Sequence, residues 1–132
     1  MPKAEPSPER LLSVAEERLG AARTLFEAGY WADTAGRAYY AMFSAARALL
    51  AARKVYPRTH SGVIRRFGLE FVKPGYIAEL HGRALASAKE MREEAEYHEH
   101  GSVTQEEAED VLREADAFLE TVRKVLRELG SP

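Results

Sequence analysis

The fourteen residues Arg37 to Leu50, RAYYAMFSAARALL, constrain this chain more than any other stretch. Ala35, Tyr39, Met42, Phe43, Ala46, Leu49 and Leu50 fall on one side of a helical wheel, and Arg37, Tyr40, Ser44 and Arg47 recur at three and four residues on the other. A segment with that double periodicity is a helix that packs through one face and presents a polar row on the other, with Tyr40 between two guanidinium groups. Its many alanines permit close helix approach, which suits either the centre of a bundle or a face shared by two subunits.

The rest of the chain carries helical signals and no alternating, β-type run. Ser7 before Pro8 and Glu9 is an N-cap followed by an N1 proline, and Leu11, Leu12, Ala15, Leu19, Ala22, Leu25 and Phe26 continue at helical spacing to Gly29. This predicts a first helix over Pro8 to Ala28. The second starts near Trp31 and ends before Pro57, because proline disfavours helical backbone in the residue before it. Thr59 caps a short third helix through Val63, Ile64, Phe67 and Phe71, which stops at Lys73-Pro74-Gly75. Ile77, Leu80, Ala84, Leu85, Ala88 and Met91 mark a long fourth helix ending near Tyr97. Thr104 with Glu107 is a capping box, and Ala108, Val111, Leu112, Ala115, Leu119, Val122 and Leu126 carry the last helix. The fold class is therefore all-α: an up-and-down bundle of four long helices plus one short helix packed across it, in one domain over 1–132 with a loose tail at 1–6.

With no cysteine, the chain has neither a disulfide framework nor a thiol nucleophile, and metal binding falls to histidine and carboxylate. The apolar stretches are cut by Arg37 and Arg47, short of the ~20 residues a membrane span needs, so a cytoplasmic protein is expected. A net charge of -2 hides an uneven distribution. Residues 34–78 hold eight Lys and Arg against Glu70 alone, whereas residues 79–132 hold seven basic against fourteen acidic residues. This basic belt (Arg37, Arg47, Arg53, Lys54, Arg58, Arg65, Arg66 and Lys73) fits two uses. It can meet a polyanion such as RNA, or it can neutralise the acidic helices of its own fold or of a second subunit.

The strings AYYAMFSAARALL, THSGVI at Thr59 to Ile64, the Phe67-Gly68 step and MREEAEYHEH at Met91 to His100, in this order, resemble the HEPN domain family in its small stand-alone branch. The resemblance runs from about Leu11 to Leu129. It implies a HEPN-like helical bundle, and small members resemble the toxin half of pairs whose other half is a minimal nucleotidyltransferase. Family members range from RNA-cleaving toxins to domains without known catalysis. The leading expectation is thus an RNA-targeting protein, a metal-independent endoribonuclease acting as a homodimer. The alternative is a non-catalytic nucleotide-binding or protein-interaction module that docks on a nucleotidyltransferase.

The family's ribonuclease signature is an arginine, four to six residues, then a histidine near the end of a long helix. Arg92 and His98 match it here and are the catalytic candidates that the resemblance implies. Arg53 to His60 has a similar spacing, so position near the end of the fourth helix is what singles out Arg92. His60 itself is expected to be a cap or turn residue. A histidine can move a proton at a ribose 2′-hydroxyl or a leaving 5′-oxygen, and an arginine can hold phosphorane oxygens, so no metal or other cofactor is required. A dimer would supply the acid and base that one histidine cannot supply together.

Arg37, Tyr40, Arg47 and Tyr97 are the substrate-binding candidates, the first three as a phosphate- and base-stacking wall. Their alternative is a buried polar seam that fixes helix register or a dimer interface. Tyr97 could also accept a nucleotidyl group from a partner enzyme. Departures from the family's pattern favour the non-catalytic module: the residue after Arg92 is acidic rather than small and polar, and Glu93, Glu94, Glu96 and Glu99 crowd the pair. Arg92 can instead bridge Glu96 one turn on. A metal site from His98, His100 and Glu96 lacks a fourth ligand at a convincing spacing.

Overall fold

The computed structural model describes residues 4–97 and 103–130. Five α-helices account for most of them: α1 (Pro8–Glu27), α2 (Trp31–Ala52), α3 (His60–Phe67), α4 (Glu79–Tyr97) and α5 (Gln105–Gly130), and no strand occurs among the described residues. Local chemistry sets the starts. The Ser7 hydroxyl accepts from the Arg10 amide at 3.1 Å and Pro8 takes the first helical position, where its missing N–H costs nothing. Thr104 and Glu107 form the reciprocal box, with Glu107 N donating to Thr104 Oγ1 at 3.1 Å and Thr104 N to Glu107 Oε1 at 3.0 Å. Gly29, at φ 87°, makes the tight reversal between α1 and α2.

Helix α2 is the spine, packed against α1, α3, α4 and α5. Thirteen of its 22 residues are buried, including Ala35, Ala38, Ala41, Ala45, Ala46, Ala48 and Ala51, so small side chains face neighbours on nearly every side. The alanine-rich surface therefore belongs to the bundle centre. Ser44, read from the sequence as part of the polar row, is buried at 7% exposure, because helices cover that side of α2 as well. One core gathers Leu19, Tyr39, Met42, Leu49, Phe67, Leu85 and Phe118 from all five helices.

Two features depart from the periodicity. The turn Gly68–Val72 continues α3 as a π-helix, closed by the Lys73 amide on the Gly68 carbonyl at 2.8 Å. Its wider turn places Phe71 beside Phe67 in the core while Glu70 meets both Arg66 and Arg53. Leu80, expected in the core, is 56% exposed. Helix α4 begins at Glu79, and Leu80 borders a cleft with Ala84, Glu114 and Ala117 instead of entering the core. Among the described residues no helix is long and apolar enough to cross a membrane.

The C-terminus of α2 closes as a Schellman motif: Val55 N bonds Leu50 O and Lys54 N bonds Ala51 O, both at 2.9 Å. The left-handed position in it is filled by Lys54, φ 59°, where glycine is usual. Arg53, one residue earlier, lies between the Phe71 and Tyr76 rings, 4.6 and 4.9 Å from their centroids. It also donates to the Glu70 carbonyl and carboxylate, which ties α2 to the π turn.

Candidate functional site

The polar row of α2 runs the length of three turns, so its two ends meet different neighbours. At the Arg37 end, the last turns of α4 lie alongside. The Arg92 guanidinium sits 4.8 Å from the centroid of Tyr40 and 5.9 Å from that of Tyr39, a cation–π arrangement. It bonds Glu96 at 2.9 Å, as the i, i+4 spacing predicts, and its side chain is only 24% exposed. Arg92, Tyr40, Arg37, Asp33 and Glu96 border a cleft of about 380 Å³.

At the Arg47 end the neighbour is the start of α3. A second cleft, of about 400 Å³, is bordered there by Phe43, Arg47, Tyr56, Arg58 and His60. The four substrate-binding candidates therefore do not share one groove. Arg37 and Tyr40 join Arg92, whereas Arg47 faces the second cleft. The side chain of Tyr97, and His98 and His100 entirely, lie outside the described residues.

Between the clefts stands an aromatic cluster centred on His60. Its imidazole stacks on Phe43 (centroids 4.2 Å apart, planes at 10°) and meets Tyr40 edge-on at 6.0 Å. Tyr39, fully buried, forms a 2.6 Å hydrogen bond with His60 Nδ1. Burial pushes the Tyr39 phenol well above its ordinary range, against the opposing pull of Arg92, so it keeps its proton. The phenol has no other acceptor among the described residues, so it donates to Nδ1 and leaves the imidazole proton on Nε2. Burial, then the Arg92, Lys89 and Arg47 charges, hold the imidazole below its usual range, only partly offset by Glu93. His60 is thus a neutral imidazole in a cationic surround.

The local reason for this placement is the Thr-His-Ser-Gly turn. Thr59 Oγ1 accepts from the Gly62 amide at 2.9 Å, and a Cβ on Gly62 would come within 2.8 Å of that oxygen. Glycine lets the cap close, and His60, first in the helix, is turned toward α2. Expecting His60 to serve as a cap or turn residue placed it correctly at the start of α3 but missed its bond to Tyr39. The visible hint was the position of histidine directly after the capping threonine, opposite a tyrosine-rich helix.

Lys89 binds Glu93 at 2.7 Å and, with that hydrogen bond as the main cause, holds the Glu93 carboxyl below its ordinary range. His81 is elsewhere: it bonds Thr121 at 3.2 Å and packs edge-on against Phe118, and burial lowers its pKa. Among the described residues no group of three or more His, Asp or Glu is placed to hold a metal ion.

Residues 8–125 match the family model of the HEPN domain. The chain belongs to the HEPN domain family. A relative in Methanocaldococcus jannaschii, named "Putative toxin MJ0605", is 42% identical over 121 residues, covering 92% of this chain and 90% of that protein. The crystal structure of TT1696 from Thermus thermophilus superposes with a TM-score of 0.75 at 22% identity, over 89% of this chain and 96% of that one. ST0689, described as an archaeal HEPN homologue, superposes with a TM-score of 0.67 at 18% identity, over 91% and 98%. These two likenesses establish the HEPN helical fold.

Proposed function

We propose that this HEPN protein is a toxin-type, metal-independent endoribonuclease in which Arg92 holds the scissile phosphate and His98 moves the proton. The observation that carries the reading is the Arg92 guanidinium, laid over Tyr40 beside Arg37 at the mouth of a cleft. A guanidinium over an aromatic ring, with a second arginine lining the same cleft, suits a phosphate with a base stacked next to it. The toxin name carried by the M. jannaschii relative points the same way.

The ribose 2′-oxygen attacks the adjacent phosphorus as its proton passes to a histidine, and the 5′-oxygen leaves with a proton from a general acid. The products are a 2′,3′-cyclic phosphate and a 5′-hydroxyl, and DNA, without the 2′-hydroxyl, is spared. One histidine cannot be base and acid in the same step, so a homodimer presenting two copies of His98 completes the site. Because the alanine-rich side of α2 is enclosed by its own bundle, that dimer uses other surfaces. The Glu96 carboxylate is the more exposed side of its bridge to Arg92, so a phosphate can replace it there. A partner nucleotidyltransferase would silence the site by transferring a nucleotidyl group from a nucleoside triphosphate to the Tyr97 phenol, with pyrophosphate leaving, and the added phosphodiester puts negative charge where RNA must bind.

The same 2.9 Å bridge carries the second reading, a non-catalytic nucleotide-binding or docking module in which Arg92 is simply neutralised. Purified protein should cut a structured RNA in excess chelator, leave cyclic phosphate ends, and lose activity on Arg92→Ala or His98→Ala with helicity retained. Activity surviving both substitutions, or none in the unmodified protein, sinks the nuclease reading.

A further inference from the structure

The eight cations of residues 34–78 find few partners in the folded chain. Among the described residues, Arg53 and Arg66 pair with Glu70, Arg58 reaches Glu5 at 3.9 Å, and none pairs with an acid of α4 or α5. Those acidic helices meet other cations: Arg83 with Glu79, Lys89 with Glu93, Arg92 with Glu96 and Arg113 with Glu109 within one helix, and Arg23 of α1 with Asp116. Among the described residues the basic belt makes no ion pair with the acidic helices α4 and α5 of its own fold.

Several of its members converge instead. The cleft bordered by Arg47, Arg58 and His60 shares Tyr56, Pro57, Arg58 and Thr59 with a neighbouring one of about 550 Å³, bordered also by Lys54, Arg65 and Arg66. The two lie on either side of the Tyr56–Thr59 segment and form a basic surface whose described lining holds one acid, Glu5, while Glu70 pairs with Arg66. Tyr56 and Phe43 supply aromatic groups along it. Lys54 adds a separate sign. It holds a left-handed conformation that glycine would adopt without strain, and its exposed side chain adds a cation to this surface.

We infer that this surface binds the phosphodiester backbone of single-stranded RNA, with Lys54, Arg58, Arg65 and Arg47 on successive phosphates, and leads the strand past His60 toward Arg92. Taking RNA as the polyanion rests on the proposed function, but binding here does not require cleavage. The contacts are to phosphate, so recognition is sequence-tolerant and falls with salt.

The test uses the full chain and a fluorescent 2′-O-methyl oligouridine of about twelve nucleotides, which has no free 2′-hydroxyl and so cannot be cut. Four phosphate contacts predict that log Kd rises with log salt at a slope of roughly 3, from about 0.7 per contact. Lys54→Asn/Arg58→Gln/Arg65→Gln, all exposed positions, should lower that slope by about 2 and weaken binding at least about tenfold at low salt. Lys54→Gly alone, which relieves the backbone, should lower it by about 0.7. Arg92→Ala should abolish cleavage of the ribo-oligonucleotide while changing the slope by at most about 1. Binding that is lost in the triple variant upholds the inference even if the protein cleaves nothing. Unchanged affinity and slope in the triple variant overturn it. So does loss of self-association by sedimentation with RNA binding intact, because the surface would then serve the acidic helices of a second copy.

Discussion

Tyr39→Phe removes one oxygen atom from a fully buried ring and leaves the ring's packing in place. What is lost is the 2.6 Å bond to His60 Nδ1. A neutral hydrogen bond contributes about 1 kcal/mol net, and the stranded Nδ1, only partly buried, adds up to about 1 kcal/mol more, so a loss of about 1–2 kcal/mol is expected. For 132 residues, an unfolding entropy of about 2.1 cal/mol/K per residue converts this into a Tm fall of about 4–7 °C. Calorimetry at neutral pH measures the fall directly. A double-mutant cycle then asks whether the cost belongs to this pair: His60→Ala should be cheaper by about 1 kcal/mol in the Tyr39→Phe background than in the unmodified protein. If Tyr39→Phe is as stable as the parent within about 0.3 kcal/mol, or the two substitutions are additive, the reasoning about the buried phenol and the neutral imidazole is wrong.

Acid should destabilise the fold as its two partly buried histidines take up protons. His60 and His81 both have folded pKa values below the unfolded value, so their contribution is present above about pH 6.5 and is lost as pH falls through the lowered values. Urea unfolding at pH 7.5 and 5.0 should show the loss, and His60→Gln/His81→Gln should flatten it. Ala46→Leu, at a site with no exposure on the central helix, should cost about 1–3 kcal/mol or more in the same assay, since a neighbouring helix must move to admit the side chain. Lys54→Gly should raise stability by about 0.5–1 kcal/mol through relief of the left-handed backbone, in the opposite direction to its effect on RNA binding.

The elements most legible in the sequence were those determined by neighbours along the chain. Ser7-Pro8, Thr59 and the Thr104–Glu107 box start their helices as expected, because a cap is a contact three residues long. What depended on the neighbour across the bundle was less visible. Periodicity treats a tyrosine as apolar and cannot say where its hydroxyl ends, so Tyr39 read as packing although it also holds His60. Leu80 had the right spacing for the core, but nothing in its spacing showed that no helix would cover it. The π turn has no local signature, since it follows from seating Phe67, Phe71 and Glu70 on their separate partners at once. Arg37, Tyr40 and Arg47 were legible as one row on a helix. That α4 would meet one end and α3 the other depended on how the helices cross.

The central position of α2 gives the two clefts a common property. Tyr40, Phe43 and Arg47 project from a rod gripped on several sides by other helices, with alanines at the points of grip. Their backbone positions cannot drift by a fraction of an ångström without moving much of the molecule. This wall is a fixed template, and adjustment to a ligand must come from the side that faces it: the start of α3 and the last turns of α4. Anyone redirecting the protein to a different ligand would gain little by varying the spine. The productive positions are His60, Ser61 and Lys89 to Glu96, where a changed side chain alters what the template is held against without disturbing the template.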